Sequence, residues 1–481
     1  MSRTVAALVC AALLAGCSFA PKYERPQVDP PSAWRTPDAE GGSLAELAWW
    51  QLFQDEALRA LIQIALAENR DLMIASARVE QARAQAGVVN SALFPQIGAS
   101  GSAARERYSE LTYPKLPEPF TNNDFTLSAG AAFEVDLWGR LRNASAAARA
   151  NLLATEDAQR TVYITLVSDV AATYFQLRAF DQDLEVAIRT RDTRAESLRI
   201  VQSRYDRGIA SELDRAQAQR QYEGAVAAIP LIEQQVAQTE NALSILLGRN
   251  PGAIVRGIAL AQQPLPPAVP AGLPSSLLEQ RPDLQAAEQG IVQANAQIGE
   301  ARALYFPRIT LTGDFGYASK SLSDLFTGPA RIWQGAAGFT VPIFDAGRID
   351  STVDLAQAKQ REAILHYQQS VQQAFREVDD ALVAYRKTRA SRDAQVRVVD
   401  AANRAFKSAD KRYLHGVSSY LDVLDAQREL FNAQLALTRT QLGELVAVVQ
   451  LYRALGGGWS PDEPNGAPVT AAAGDTARAA P

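Results

Sequence analysis

A chain of 481 residues, 47% of them hydrophobic, has length enough for about three ordinary globular domains. Its net charge of −5 is spread over well-mixed acidic and basic residues, so no basic stripe points to nucleic acid. Two histidines and two cysteines argue against zinc, haem or disulfide frameworks, and two methionines argue against thioether relay of copper or silver.

Residues 1–16 read as a signal peptide. Arg3 precedes an apolar run from Val5 to Leu14, and small residues Ala15-Gly16 come before Cys17. A cysteine directly after Leu14-Ala15-Gly16 resembles the bacterial lipobox, which implies a covalent lipid on Cys17. Ser18, standing where Asp would retain a lipoprotein at the inner membrane, implies delivery to the outer one. Cys10 leaves with the signal. The stretch 21–40 is rich in Pro and polar residues and reads as an extended leader without a core of its own. No later stretch offers the roughly 20 apolar residues of a membrane helix.

Residues 17–92 comprise this arm and the first helices, with a helical pattern from Leu44 to Ala92 broken near Asn69-Arg70-Asp71. Phe94-Pro95 ends it. Region 93–138 changes period. From Phe125 to Leu137 every odd position is apolar, while the even ones carry Thr, Ser, Gly, Ala, Glu and Asp. That is a strand long enough to span a bilayer. A less regular partner runs from Gln96 to Arg107, with a Pro-rich loop over 108–123 between them.

Region 139–248 is a hairpin of long helices with its tip at 204–214. The first helix, about sixty residues, spans ~90 Å. Tyr163, Val167, Val170, Tyr174, Leu177, Leu184 and Ile188 mark a heptad seam that includes Asp181. Tyr222, Ala225, Ile229, Ile232, Val236, Leu243 and Leu246 continue it after the tip, and Pro230 should kink that second helix.

A Pro-rich connector over 249–276 follows, and then the programme repeats: a helix at 277–305, strands within 306–344, a second long hairpin over 345–458. Asp283-Leu284, Phe306-Pro307 and Gly347-Arg348 echo Asp71-Leu72, Phe94-Pro95 and Gly139-Arg140. Ile309, Leu311, Phe315 and Tyr317 alternate with polar or small residues, as do Trp333, Ala337, Phe339, Val341 and Ile343. The second tip, 412–422, matches the first in register: Arg204, Tyr205, Gly208, Ser211, Leu213 and Asp214 recur as Arg412, Tyr413, Gly416, Ser419, Leu421 and Asp422. Each glycine should close a helix, and Ser211 and Ser419 are placed to cap the next. Phe431, Leu435, Leu442, Leu445, Val449 and Tyr452 form the returning seam, and the tail 459–481 reads as disordered.

The helical seams are already committed to one another, so the apolar strand faces need another partner. Lipid supplies one. Four strands cannot close a barrel, and an open edge is not tolerated in lipid, so copies must join their strands around a wet, polar lumen.

The lipobox, the Gly-Arg after each strand pair, the twin Arg-Tyr-x-x-Gly-x-x-Ser-x-Leu-Asp tips and the Gly456-Gly457-Gly458-Trp459 ending resemble the outer-membrane factor family, the TolC/OprM-type exit ducts of tripartite efflux pumps, in its lipoprotein branch. The resemblance covers residues 17–459. It implies a mainly α chain that contributes to a membrane β-barrel, with three copies forming a twelve-stranded barrel in outer-membrane lipid and a twelve-helix periplasmic tunnel. The arm and the connector would form an equatorial belt. It implies as partners a periplasmic adaptor (membrane fusion) protein and a proton-driven drug transporter of the inner membrane. The adaptor would dock on Arg204, Gly208, Ser211, Arg412, Gly416 and Ser419. Leu421 and Asp425 would form the periplasmic gate, with Tyr413 packed behind them. A plain ion pair of Asp425 with Arg428 or Arg215 stays open.

No phosphate loop, nucleophile elbow or metal cluster is read, and no cofactor beyond the lipid is expected, so the chain is not expected to be an enzyme. A protein-secretion duct of the same fold and a lipid-anchored periplasmic coiled-coil scaffold are the alternatives; the strand alternation argues against the scaffold.

Overall fold

The computed structural model describes residues 18–35, 47–109, 111, 121–264 and 274–457. The signal peptide, Cys17, the middle of the 108–123 loop, residues 265–273 of the connector and the tail from 458 onward lie outside the described residues. The described residues fall into two compact units, those within 1–28, 76–158 and 283–370 in one, and those within 29–75, 159–282 and 371–481 in the other.

The first unit holds an all-antiparallel sheet of β1 (Gln96–Arg107), β2 (Thr121–Val135), β3 (Arg308–Ser319) and β4 (Arg331–Thr340), in that order. The two strand pairs, far apart in sequence, join through β2 and β3, with Phe133 opposite Leu311 and Ala129 opposite Phe315. One sheet therefore joins the two repeats. Partners in register share a face, so Phe125, Leu127, Phe133, Leu311, Phe315, Trp333 and Phe339 line one side. That side is bare: Trp333 is 79% exposed and Phe339 76%. Thr126, Ser128, Thr310, Thr312 and Asp314 share the other side. β4 ends at Thr340, three residues before the expected limit, because Pro342 has no N–H for the ladder. Val341 and Ile343 therefore lie past the strand.

The described part of the leader is extended, with no helix or strand over residues 18–35. It lies along the helix Pro282–Ala303, where Gly299 admits Ala20; a Cβ on that glycine would meet Ala20 at 2.7 Å. Asn295 donates to the Pro21 carbonyl at 2.6 Å, and Glu288 accepts from Tyr23 Oη and Arg25 at 2.8 Å each. Phe19 stacks on Phe306 with ring centroids 4.5 Å apart.

In the second unit α1 (Glu56–Glu68) abuts α2 (Arg70–Ser91) at Asn69, which breaks the helical pattern where expected. Asn69 Oδ1 accepts the Leu72 N–H at 3.0 Å and its Nδ2 donates to the Leu246 carbonyl at 2.9 Å. The long helices are α3 (Arg140–Asp206), α4 (Glu212–Leu246), α5 (the Pro282–Ala303 helix of the first unit), α6 (Arg348–Leu414) and α7 (Tyr420–Ala454). α3 and α6 have 67 residues each and α4 and α7 have 35 each, so the hairpin repeat is kept residue for residue. α4 runs continuously through Pro230, which sits on its exposed side. Seam residues Val167, Val170, Tyr174, Leu177, Leu243, Val449 and Tyr452 are buried. Asp181, the charged seam residue, is held by Arg178 at 2.6 Å and Arg256 at 3.3 Å.

Candidate functional site

The two tips belong to one packed cluster in the second unit. Val201 of α3, Ala218 of α4 and Tyr420, Val423 and Leu424 of α7 form a buried core, with Phe406, Ala409 and Tyr413 of α6 packed against it. Both turns have the same backbone. Gly208 and Gly416 each have φ of +72°, the left-handed region that an L side chain enters at a cost. At each, two backbone bonds close the helix end: Gly208 N–H to Tyr205 O and Ile209 N–H to Arg204 O at 2.8 Å, and Gly416 N–H to Tyr413 O at 3.0 Å with Val417 N–H to Arg412 O at 2.8 Å. This is the Schellman arrangement.

The following helix starts differ. Ser211 Oγ accepts the Asp214 N–H at 3.1 Å, and Asp214 returns the bond to the Ser211 N–H at 3.1 Å, a reciprocal capping box. Ser419 occupies the equivalent position but its side chain makes no cap bond, which corrects the expected cap. The reason lies one residue on. The first copy has exposed Glu212 there, whereas the second has Tyr420, only 3% exposed, with its ring 5.1 Å from that of Tyr413. Packing starts α7 where hydrogen bonding starts α4.

Arg204 ties the tips together. Its guanidinium lies 4.6 Å from the centre of the Tyr413 ring and donates to the Tyr413 carbonyl at 3.1 Å. Burial pushes the Tyr413 hydroxyl above its ordinary pKa, against the opposing charge of Arg204. Tyr420 is pushed up to about 12, again mainly by burial. Arg412, Gly416 and Ser419 are exposed, as are Gly208 and Ser211, while Arg204 is half-buried. Around them stand exposed apolar side chains: Ile209, Leu213, Leu414, Val417 and Leu421, between 47% and 66% exposed.

Leu421 and Asp425 line one groove of about 540 Å³ between α6 and α7, floored by Ala402, Ala405 and Ala409 and edged by Asp422 and Glu429. Asp425 accepts from Arg428 at 2.5 Å, the ion pair that the sequence left open, and Arg428 also reaches Glu429 at 3.2 Å. Arg428 and Asp425 are both more than half exposed, so the pair is a weak and exchangeable one. Tyr413 is in the Tyr420 cluster rather than lining this groove.

Among the described residues no cluster of His, Cys, Asp and Glu is arranged to hold a metal, and no helix is long and apolar enough to cross a membrane. A sheet with one apolar and one polar face, carried by a chain of paired long helices with bare apolar tips, defines an outer-membrane channel subunit. A family model described as outer membrane efflux protein matches residues 61–249 and 273–457, one match per repeat. The chain belongs to that family. The solvent efflux pump outer membrane protein SrpC of Pseudomonas putida is 40% identical, over 93% of this chain and 97% of its own. The cation efflux system protein CusC of Escherichia coli is 36% identical, over 94% and 98%. Among solved structures, the open-state MtrE outer membrane channel of Neisseria gonorrhoeae superposes with a TM-score of 0.84 at 33% identity, over 92% of this chain and 98% of that one. A membrane protein from Pseudomonas aeruginosa gives 0.85 at 35% identity, over 92% and 100%.

Proposed function

We propose that the chain is the exit duct of a tripartite efflux pump. Three copies join their sheets into one barrel in the outer membrane, and their long hairpins form the tunnel below it. The observation that carries this is the four-stranded sheet, apolar on one face and polar on the other, whose two outermost strands have no neighbour on their outer edges among the described residues. Such a sheet is stable in lipid only when copies complete it. Relatives named for solvent, toluene, antibiotic and cation efflux support export of small solutes over transport of folded protein.

Cys17 carries the lipid anchor in this reading. The tips are the docking end: Arg204, Gly208, Ser211, Arg412, Gly416 and Ser419 lie among exposed apolar side chains that a periplasmic adaptor's helical hairpin would cover, linking the duct to a proton-driven transporter of the inner membrane. Leu421 and Asp425 form the gate, and Tyr413, held by Arg204, fixes the helix start that carries them. Purified protein should run as a heat-modifiable trimer and give discrete conductance steps in planar bilayers. A monomer without conductance would overturn the reading.

A further inference from the structure

At the base of the sheet in the first unit is a cavity of about 330 Å³, within the size range of small-ligand sites. Three segments meet there: the end of β2 running into α3, the end of α5 running into β3, and the end of β4 running into α6. Both Gly-Arg signatures of the sequence lie in these segments, Arg140 and Arg348 being lining residues and the first residues of the two longest helices. Gly139 and Gly347 have φ of +75° and +80°, which turns each chain from strand to helix directly below the sheet.

The charges around this cavity do not cancel evenly. Glu134 is engaged by Arg140 in a two-point pair at 2.9 and 2.8 Å. Asp136 accepts the N–H groups of Leu141 and Arg142, at 3.1 and 2.9 Å, and Asp345 accepts those of Gly347 and Ile349, at 3.1 and 3.0 Å. Each aspartate thus closes the start of a long helix. Among the described residues Arg308 reaches only the already engaged Glu134, at 3.6 Å, and Arg348 only Asp345, at 4.0 Å. Their side chains are 54% and 65% exposed. Two guanidinium groups therefore face one cavity with long contacts alone.

Apart from Thr340, the rest of the lining is apolar. Trp138 and Phe306 stack with centroids 4.9 Å apart, and the indole N–H is already donated to the Pro307 carbonyl at 2.9 Å. Glu134, Arg308 and Thr340 belong to the polar face of the sheet, the face of Thr310 and Thr312 and not that of Phe315 and Trp333. Lipid headgroups are on the wrong side to be the natural occupant.

We infer that this cavity binds small organic anions with an apolar or aromatic body, the carboxylate meeting Arg308 and Arg348 and the body lying against Trp138 and Phe306. This deepens the duct reading and rests on it: the site adjoins the polar face of the sheet, which in that reading lines the solute path.

The test is calorimetric titration of the detergent-solubilised full chain with 1-naphthoate, alongside the uncharged 1-naphthol. Binding in detergent needs no conduction, so the bilayer recordings judge the duct separately. The expected result is saturable naphthoate binding, one per chain, at least tenfold tighter than naphthol. Arg308→Gln with Arg348→Gln should weaken it tenfold or more, while Arg376→Gln, an exposed arginine outside the cavity, should leave it unchanged. No saturable binding, equal affinity for naphthol, an unaffected double variant or an equal loss in Arg376→Gln would each overturn the inference.

Discussion

Tyr174 donates its hydroxyl proton to Oδ2 of Asp55 across 2.8 Å, and neither residue is more than 1% exposed. The same oxygen accepts from the Ile258 N–H at 3.0 Å and the Gln263 side-chain amide at 2.8 Å, while Oδ1 takes the Ala57 N–H at 2.9 Å. Tyr174 Oη in turn accepts the Gly257 N–H at 2.9 Å. One carboxylate thus joins α1, α3 and the connector. Asp55→Ala would leave several buried donors without an acceptor, at about 1–3 kcal/mol each. We expect a loss of about 3 kcal/mol or more in urea unfolding and faster tryptic cleavage at Arg256. Unchanged cleavage would show that the connector is held by something else.

The tip glycines separate folding from docking. A Cβ at Gly208 or Gly416 meets no atom within 4 Å, and Asp tolerates the left-handed backbone better than most residues. Gly208→Asp with Gly416→Asp should therefore cost only about 1–2 kcal/mol per site in the turn and leave trimers in the membrane. Drug resistance should nonetheless fall to the level of a deletion strain. Full resistance with normal adaptor cross-linking would place docking elsewhere.

In the proposed gate, the Asp425–Arg428 pair makes opposite predictions for its two members. Asp425→Asn should lower the cation preference of single channels, whereas Arg428→Gln should raise it by releasing the carboxylate. Leu421→Ala with Asp425→Ala should increase conductance about twofold or more and admit vancomycin. Reversal potentials in a KCl gradient read the first pair, and growth on vancomycin reads the second.

Stability should fall as pH rises through the mildly acidic range. Burial pushes the Asp183 carboxyl up to about 6, against the opposing Thr438 hydroxyl and Arg439 charge, and its Oδ1 has no hydrogen-bond partner. The folded chain therefore holds a proton that the unfolded chain has released between about pH 4 and pH 6, which favours folding at the acid end of that window. Burial shifts Asp169, Glu300 and Glu444 the same way. Asp183→Asn should flatten the pH dependence of thermal melting and raise the midpoint at pH 7 by about 2–4 °C. A steeper profile in the variant would reverse the assignment.

The tips were legible in the sequence because a Schellman turn demands glycine at one position, so Gly208 and Gly416 declared the geometry by themselves. The strands were legible because Phe125, Leu127, Phe133 and Val135 keep a period of two that no helix would. The β2–β3 pairing was not, since Phe133 and Leu311 are 178 positions apart and nothing local in either names the other. Asp55 escaped notice for the same reason: its partners at 174, 258 and 263 arrive from distant segments. At Ser419 local chemistry pointed to a cap, and the burial of neighbouring Tyr420 overrode it. The leader was legible as an extended arm, but its resting place on α5 was not, because its partners at 288 and 295 are far away in sequence.

The outer edges of β1 and β4 also set how the protein can be made. A lone chain entering lipid would carry two rows of backbone groups facing hydrocarbon, each group costing several kcal/mol. In the proposed duct, insertion one chain at a time would leave both rows unpaired. Copies are then expected to meet at the bilayer surface, so the rate of integration should rise steeply with the local concentration of newly delivered chains. Chains that arrive too sparsely should linger outside the bilayer, exposed to proteases, with Trp333 and Phe339 uncovered.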